Sequence, residues 1–181
     1  MTNQQYDAAV QLCRDIFVRK ATDYGTSWRV LRPISIADQL FIKAQRIRTI
    51  QEKKVQKVGE DITGEFRAMV NYGIIGLIQL ELQQTGTEDL PVAEVERLYD
   101  EQMGNTRQLM LNKNHDYGEA WRELSQESIT DLILVKLLRI RQILQNDGRT
   151  LISEGIDANY ADIINYSIFA LILIAEGKHA G

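Results

Sequence analysis

Apolar residues recur along the chain at spacings of three and four, the period of an amphipathic α-helix, in six separate stretches. The pattern predicts helices over roughly 3–21, 35–55, 62–84, 91–114, 128–146 and 156–177, and no strand. Turn-forming segments separate them. Pro33 and two Asp-Tyr-Gly turns stand ahead of the second and fifth helices, and the polar run Gln84 to Leu90 leads to Pro91, which can start the fourth. Ser35 and Ser128, with Asp38 and Asp131 three residues on, offer side-chain acceptors to the free amides of a first turn. Ile163 to Ala175 is apolar on nearly every side, which demands partners all round it. Asn165, Tyr166 and Ser167 interrupt it, and it is shorter than the ~20 apolar residues of a membrane span, so it reads as a buried core helix.

The pattern repeats. Shifting the chain by 93 residues superimposes Tyr6-Asp7 on Tyr99-Asp100, Lys20 on Lys113, Asp23-Tyr24-Gly25 on Asp116-Tyr117-Gly118, and Trp28-Arg29 on Trp121-Arg122. The match continues through Ser35-Ile36, Asp38, Lys43 and Arg46-Ile47-Arg48, giving 18 identities in the 45 positions from Tyr6 to Ile50. Chance supplies roughly three. After one inserted residue, Glu60, Ile62, Asn71-Tyr72, Ile74 and Leu77-Ile78 match Glu154, Ile156, Asn165-Tyr166, Ile168 and Leu171-Ile172. The chain is therefore a tandem duplication, 1–88 and 89–181, of a three-helix unit. The expected architecture is all-α: two three-helix repeats packed with pseudo-twofold symmetry into one globular bundle, an internal version of a homodimer interface. Gly73 and Gly76 correspond to Ser167 and Ala170, so small residues on one helical edge predict a close helix approach.

Composition narrows the function classes. With 181 residues, 44% hydrophobic, 25% charged and a net charge of -4, the chain has the balance of an ordinary globular protein. It offers no global electrostatic attraction to polymeric nucleic acid or an anionic membrane. Cys13 is the sole cysteine, which excludes an internal disulfide and a cysteine metal cage and fits a reducing, cytoplasmic setting. Met1 to Tyr6 opens no hydrophobic run, so a cleaved signal peptide is not expected.

Candidate chemistry sits where polar residues break the apolar pattern. Lys136 falls inside the stripe Ile129, Leu132, Ile133, Ile140 and Ile143, and Lys43 repeats this among Ile36, Leu40, Ile47 and Ile50. Arg46 and Arg139 flank the same faces, whereas Arg48 and Arg141 point away and read as surface charges. An ammonium drawn from water needs a carboxylate or a phosphate. Lys43 and Lys136 therefore either pair internally with Asp23, Asp116 or Asp162, snorkel to the bundle edge, or face an anionic ligand.

The set Lys20, Asp23, Tyr24, Gly25, Trp28 and Arg29 recurs as Lys113, Asp116, Tyr117, Gly118, Trp121 and Arg122. Such a turn can stack a base and hold a phosphate; equally, it can end a helix while its aromatics fix the packing. Asp162 and Asn165 share a helical face with Tyr166 and Phe169, and can ligate Mg2+ or satisfy polar groups in the core. Ala68 takes Asp162's place in the first copy, so a metal site would lie in the second half, with Glu65 as a further ligand across the bundle. Glu60 and Glu154 suit helix starts. His115, whose counterpart is Thr22, is a candidate acid or base beside Asp116, and His179 lies in a tail expected to fray. No phosphate-binding glycine loop, Ser-His-Asp set or zinc spacing is present.

The doubled Asp-Tyr-Gly-x-x-Trp turn, the Lys-x-x-Arg-Ile helices of Lys43 to Ile47 and Lys136 to Ile140, and the Asn-Tyr helix resemble the nucleotide modification associated domain family. That resemblance implies an all-helical protein linked to nucleotide or modified-base metabolism. A weaker one is to the all-helical nucleoside triphosphate pyrophosphatases, but their Glu-x-x-Glu is replaced here by Lys-x-x-Arg, and only Asp162-x-x-Asn165 is similar to their second acidic pair. The leading expectation is a nucleotide or related phosphate held near the Asp-Tyr-Gly turns. Lys136 and Arg139 would contact the anion, and Tyr117 or Trp121 would stack on the base. Any Mg2+-assisted phosphoester or pyrophosphate hydrolysis would run through Asp162, Asn165 and His115. The rival is a non-catalytic interaction module that recruits another protein or a second copy. It expects Lys43 and Lys136 closed off in internal ion pairs, where the nucleotide reading expects an open basic cleft beside one or both.

Overall fold

The computed structural model describes the chain except residues 56, 58, 60, 84–88 and 152–153, so Glu60 and most of the polar linker lie outside the described residues. Six helices form: α1 (Thr2–Tyr24), α2 (Pro33–Lys53), α3 (Ile62–Leu82), α4 (Val92–Tyr117), α5 (Gln126–Gln145) and α6 (Ile156–Ala175). Single turns of 3-10 helix, Ser27–Val30 and Ala120–Glu123, follow α1 and α4. No strand occurs among the described residues.

The helix ends differ from the sequence pattern for local reasons. Asp23-Tyr24 and Asp116-Tyr117 are the last residues of α1 and α4 rather than turn residues, because the chain turns only at Gly25 and Gly118, with φ of 73° and 62°. Pro33 opens α2 where no amide partner is needed, and Ser35 does not cap it. Ser125 rather than Ser128 caps α5, its hydroxyl accepting the Ser128 amide at 3.1 Å. Asp61 caps α3 through the Gly64 amide at 2.7 Å.

Asp38 and Asp131, freed from capping, bind arginines of the other copy: Arg141 to Asp38 at 2.8 Å and Arg48 to Asp131 at 3.6 Å. Arg141 also lies 4.0 Å from the centre of the Phe41 ring. These two arginines, expected as free surface charges, instead tie α2 to α5.

α3 and α6 pack against each other at the centre, α2 and α5 flank them, and one hydrophobic core draws side chains from all six helices. The glycine edge works as its spacing suggested: a Cβ on Gly73 would stand 2.5 Å from Ile164 Cγ1. At its full 20 residues α6 is long and apolar enough to cross a membrane, contrary to the shorter sequence estimate, but most of it is buried inside the bundle.

Side-chain contacts between the copies are reciprocal. Tyr6 donates its hydroxyl to Asn165 Oδ1 at 2.7 Å, and Tyr99 does the same to Asn71 Oδ1 at 2.9 Å. Burial pushes both phenols above the usual tyrosine range, so they remain donors. The two asparagine amides donate onward to equivalent carbonyls, of Thr106 at 3.2 Å and Cys13 at 3.0 Å. Arg14 binds Asp100 and Arg107 binds Asp7, each at 2.7 Å. The residues after α6, expected to fray, are docked: His179 Nε2 lies 3.1 Å from the Leu124 carbonyl, and Gln126 donates to the Ala180 carbonyl at 2.7 Å.

Candidate functional site

Each copy folds the same register of residues around a concavity between the end of its first helix, its 3-10 turn and its third helix, but the two concavities differ. In the first copy the cavity measures about 650 Å3 and is lined by Lys20, Tyr24, Gly25, Trp28, Lys43 and, from α3, Arg67 and Tyr72, among others. No carboxylate lines it among the described residues. Among the described residues neither Lys20 nor Arg67 makes an ion pair, and Lys43 only approaches Glu65 at 4.0 Å, with its ammonium 5.5 Å from the Tyr72 ring centre. Glu65 is bound more closely by Arg46, at 3.2 Å.

In the second copy the corresponding cavity is about 240 Å3, lined by Lys113, Tyr117, Trp121, Asp162, Asn165 and Tyr166, among others. Asp162 is buried and holds two cations at once: Lys113 Nζ on Oδ1 at 2.7 Å and Lys136 Nζ on Oδ2 at 2.9 Å. Burial pulls the Lys113 ammonium down, but the hydrogen bond and charge of Asp162 outweigh it, so its pKa stands above the usual lysine value. Trp121 stacks face to face on Phe169, with ring centres 4.2 Å apart, and donates its indole N–H to Asn114 at 3.2 Å.

The other sequence candidates have different placements. Arg29 is buried against Gln79, whose amide donates to the Arg29 and Leu31 carbonyls at 3.0 Å and so fixes the first 3-10 turn. Arg122 binds Glu176 at 2.7 Å and Gln5 at 2.7 Å and lies 4.5 Å from the Trp121 ring centre, which makes it a clamp between α1, α6 and the second 3-10 turn. Gln5, Arg122 and Lys178 all donate to the Glu176 carboxylate and lower its pKa to about 2. Arg139, Arg46, Asp23, Asp116, Gly118 and His115 line neither cavity; His115 pairs with Asp116 at 3.0 Å, both exposed.

Arg67 is the residue that the sequence reading missed. Its counterpart is Ala161, so Arg67-Ala68 in one copy corresponds to Ala161-Asp162 in the other, a departure from the repeat that was readable beside Asp162.

The donor set does not fit Mg2+. Each Asp162 oxygen is held by an ammonium, the Asn165 amide is used at both ends by Tyr6 and Thr106, and Glu65 is paired within the first copy. A hard dication needs several free oxygens converging on one point, and the described residues contain no cluster of three or more acidic, histidine or cysteine side chains suited to a metal.

A duplicated helical bundle, with a large cation-lined aromatic cavity in one copy and a small one in the other whose lysines are bridged by a carboxylate, is the class of protein that fold and site define. The chain belongs to the nucleotide modification associated domain 1 family, whose model matches it twice, over residues 20–80 and 113–174. Both matches start at the repeated lysine of the Asp-Tyr-Gly turn. No curated protein and no solved structure matches the chain.

Proposed function

We propose that this protein binds a mononucleotide or a closely related phosphate compound in the first-copy cavity. The phosphate lies against Lys20, Lys43 and Arg67, and the base against Trp28, Tyr24 or Tyr72. The observation that carries this reading is the lining itself: among the described residues, three cations, no carboxylate and several aromatics around about 650 Å3. Small-molecule sites occupy roughly 300–1,000 Å3, so the first cavity has the size for a mononucleotide and the second does not. The one carboxylate near these cations, Glu65, is held more closely by Arg46 and stands 4.0 Å from Lys43, so a phosphate would relieve the repulsion among Lys20, Lys43 and Arg67 while offering several acceptors at once. Membership of a nucleotide modification associated family supports the same ligand class.

The interaction-module expectation of internally closed lysines describes Lys136, and the open-cleft expectation describes Lys43. The open cavity is what favours a ligand. Isothermal titration with inorganic phosphate and the four deoxynucleoside 5′-monophosphates tests the reading. At least one nucleotide is expected to bind more tightly than phosphate. Lys43→Met is expected to weaken it about 10–100-fold, the loss of one charge-assisted contact of about 1.5–3 kcal/mol. Tyr24 is exposed, so Tyr24→Ala should leave stability unchanged while narrowing the gap between nucleotide and phosphate. A flat titration across the panel would sink the reading.

A further inference from the structure

The asymmetry between the copies has a chemical meaning. Lys20 and Lys43 in the first copy occupy the register of Lys113 and Lys136 in the second. In the second copy a single carboxylate, Asp162, bridges those two lysines with one oxygen each, at 2.7 and 2.9 Å. In the first copy the same register position is Ala68, which lines the open cavity together with both lysines and Arg67. The aromatic half of the motif differs in the same direction: Trp121 is stacked face to face on Phe169, at the position where the first copy has Ile75, whereas Trp28 only tilts against Phe17 with ring centres 6.1 Å apart. The second copy thus supplies, from its own side chains, an anion for the lysine pair and a flat partner for the tryptophan.

We infer that Asp162 is a built-in substitute for the ligand's phosphate, so that the second copy is a self-occupied site and the protein binds one ligand through the first copy alone. The inference rests on the nucleotide reading above and adds three things to it. The stoichiometry is one. The phosphoryl group sits beside Ala68, bridging Lys20 and Lys43 as the Asp162 carboxylate bridges Lys113 and Lys136. The residue at the 68/162 register decides whether the anion position of a copy is free: a carboxylate there neutralises the lysines and fills that position, and alanine leaves it to a ligand. The charge inventory of the two linings agrees among the described residues: Lys20, Lys43 and Arg67 give three positive charges in the first, with Glu65 behind it 4.0 Å from Lys43, whereas Lys113 and Asp162 cancel in the second.

The test exchanges the two residues and counts sites, using equilibrium dialysis of the intact chain with radiolabelled forms of the same four deoxynucleoside 5′-monophosphates. The wild type is expected to bind one equivalent. Ala68→Asp places a carboxylate beside Lys20 and Lys43 and is expected to lower affinity at least 100-fold with an unchanged circular dichroism spectrum. Asp162→Ala removes the substitute and vacates the anion position, which is expected to take inorganic phosphate rather than a second nucleotide, since the cavity is below mononucleotide size. Because Asp162→Ala leaves two lysines without a partner and can unfold the chain, its thermal melt is also recorded with inorganic phosphate or formate added. A rise in melting temperature larger than in the wild type is the expected rescue by an anion taking the vacated position. Ala68→Asp binding as the wild type does, two equivalents on the wild type, or a folded Asp162→Ala that shows no anion rescue would each overturn the inference while leaving nucleotide binding in place. A wild type that binds none of the probes removes both.

Discussion

Asp162 stands between two ammonium groups carried by different helices, Lys113 on α4 and Lys136 on α5, and is itself almost entirely withdrawn from water. Removing one partner of a buried ionic set leaves charge uncompensated, whereas removing both sides together can be close to neutral. Lys136→Met alone is therefore expected to cost about 1–3 kcal/mol, because Lys113 still holds one oxygen. Paired with Asp162→Asn it should cost less than the sum of the singles, with a coupling of about 0.5–3 kcal/mol in a urea-denaturation double-mutant cycle. Additive costs would mean that the two side chains do not share charge. The sequence made the need for an anion legible, since a lysine stands inside an apolar stripe. It left the source open among Asp23, Asp116, Asp162 and a ligand, because the answer depends on which helices meet and not on the helix that bears the lysine. Arg67 escaped for a related reason: a lone cation on a predicted helix reads as solvated surface until the neighbouring α1 and α2 make a cavity beside it.

Helix by helix, six elements were readable because each carries a sustained apolar period, and the two glycines on α3 were readable as a close approach because small residues recur at the same register of α6. The ends were less legible: capping depends on local backbone geometry, which placed Ser125 and Pro33 at the starts where Ser128 and Ser35 fitted the pattern equally well. The α3–α6 contact gives a test in which two general effects oppose each other. Alanine in place of a helical glycine ordinarily gains about 0.5–1 kcal/mol by restricting the unfolded chain. At Gly76, however, the added Cβ would fall 2.8 Å from the Tyr160 ring, which is buried and has no room to withdraw. Gly76→Ala is expected to destabilise by about 1–3 kcal/mol through overpacking. Gly104, on the exposed side of α4, has no such neighbour within 4 Å, and Gly104→Ala should stabilise by about 0.5–1 kcal/mol. Chemical denaturation of the two variants compares the signs directly, and a stabilising Gly76→Ala would mean that α3 and α6 do not approach as closely as described.

At the scale of the whole molecule, the duplication does not amount to two independent folds. The most buried helices, α3 and α6, belong to different copies and face each other, so each covers apolar surface that the other would otherwise expose. The buried polar network is divided in the same way: Tyr6 depends on Asn165, Tyr99 on Asn71, and a half-chain would leave one phenol and one asparagine oxygen of such a set without its partner. Arg14, Arg107, Arg48 and Arg141 likewise reach carboxylates of the opposite copy. A unit of about 90 residues buries a smaller fraction of its surface on folding than the whole chain does, and the net stability of any domain is a small difference between large terms. Losing its principal helix partner should erase that difference. Fragments cut at the linker, residues 1–88 and 89–181, are therefore expected to show weak helicity and no cooperative melt when separate, and to regain a single sharp transition when mixed. Circular dichroism melts of each fragment and of the mixture decide it: a cooperative transition in 1–88 alone would show that the first copy folds without its twin, and the open cavity could then be isolated with it.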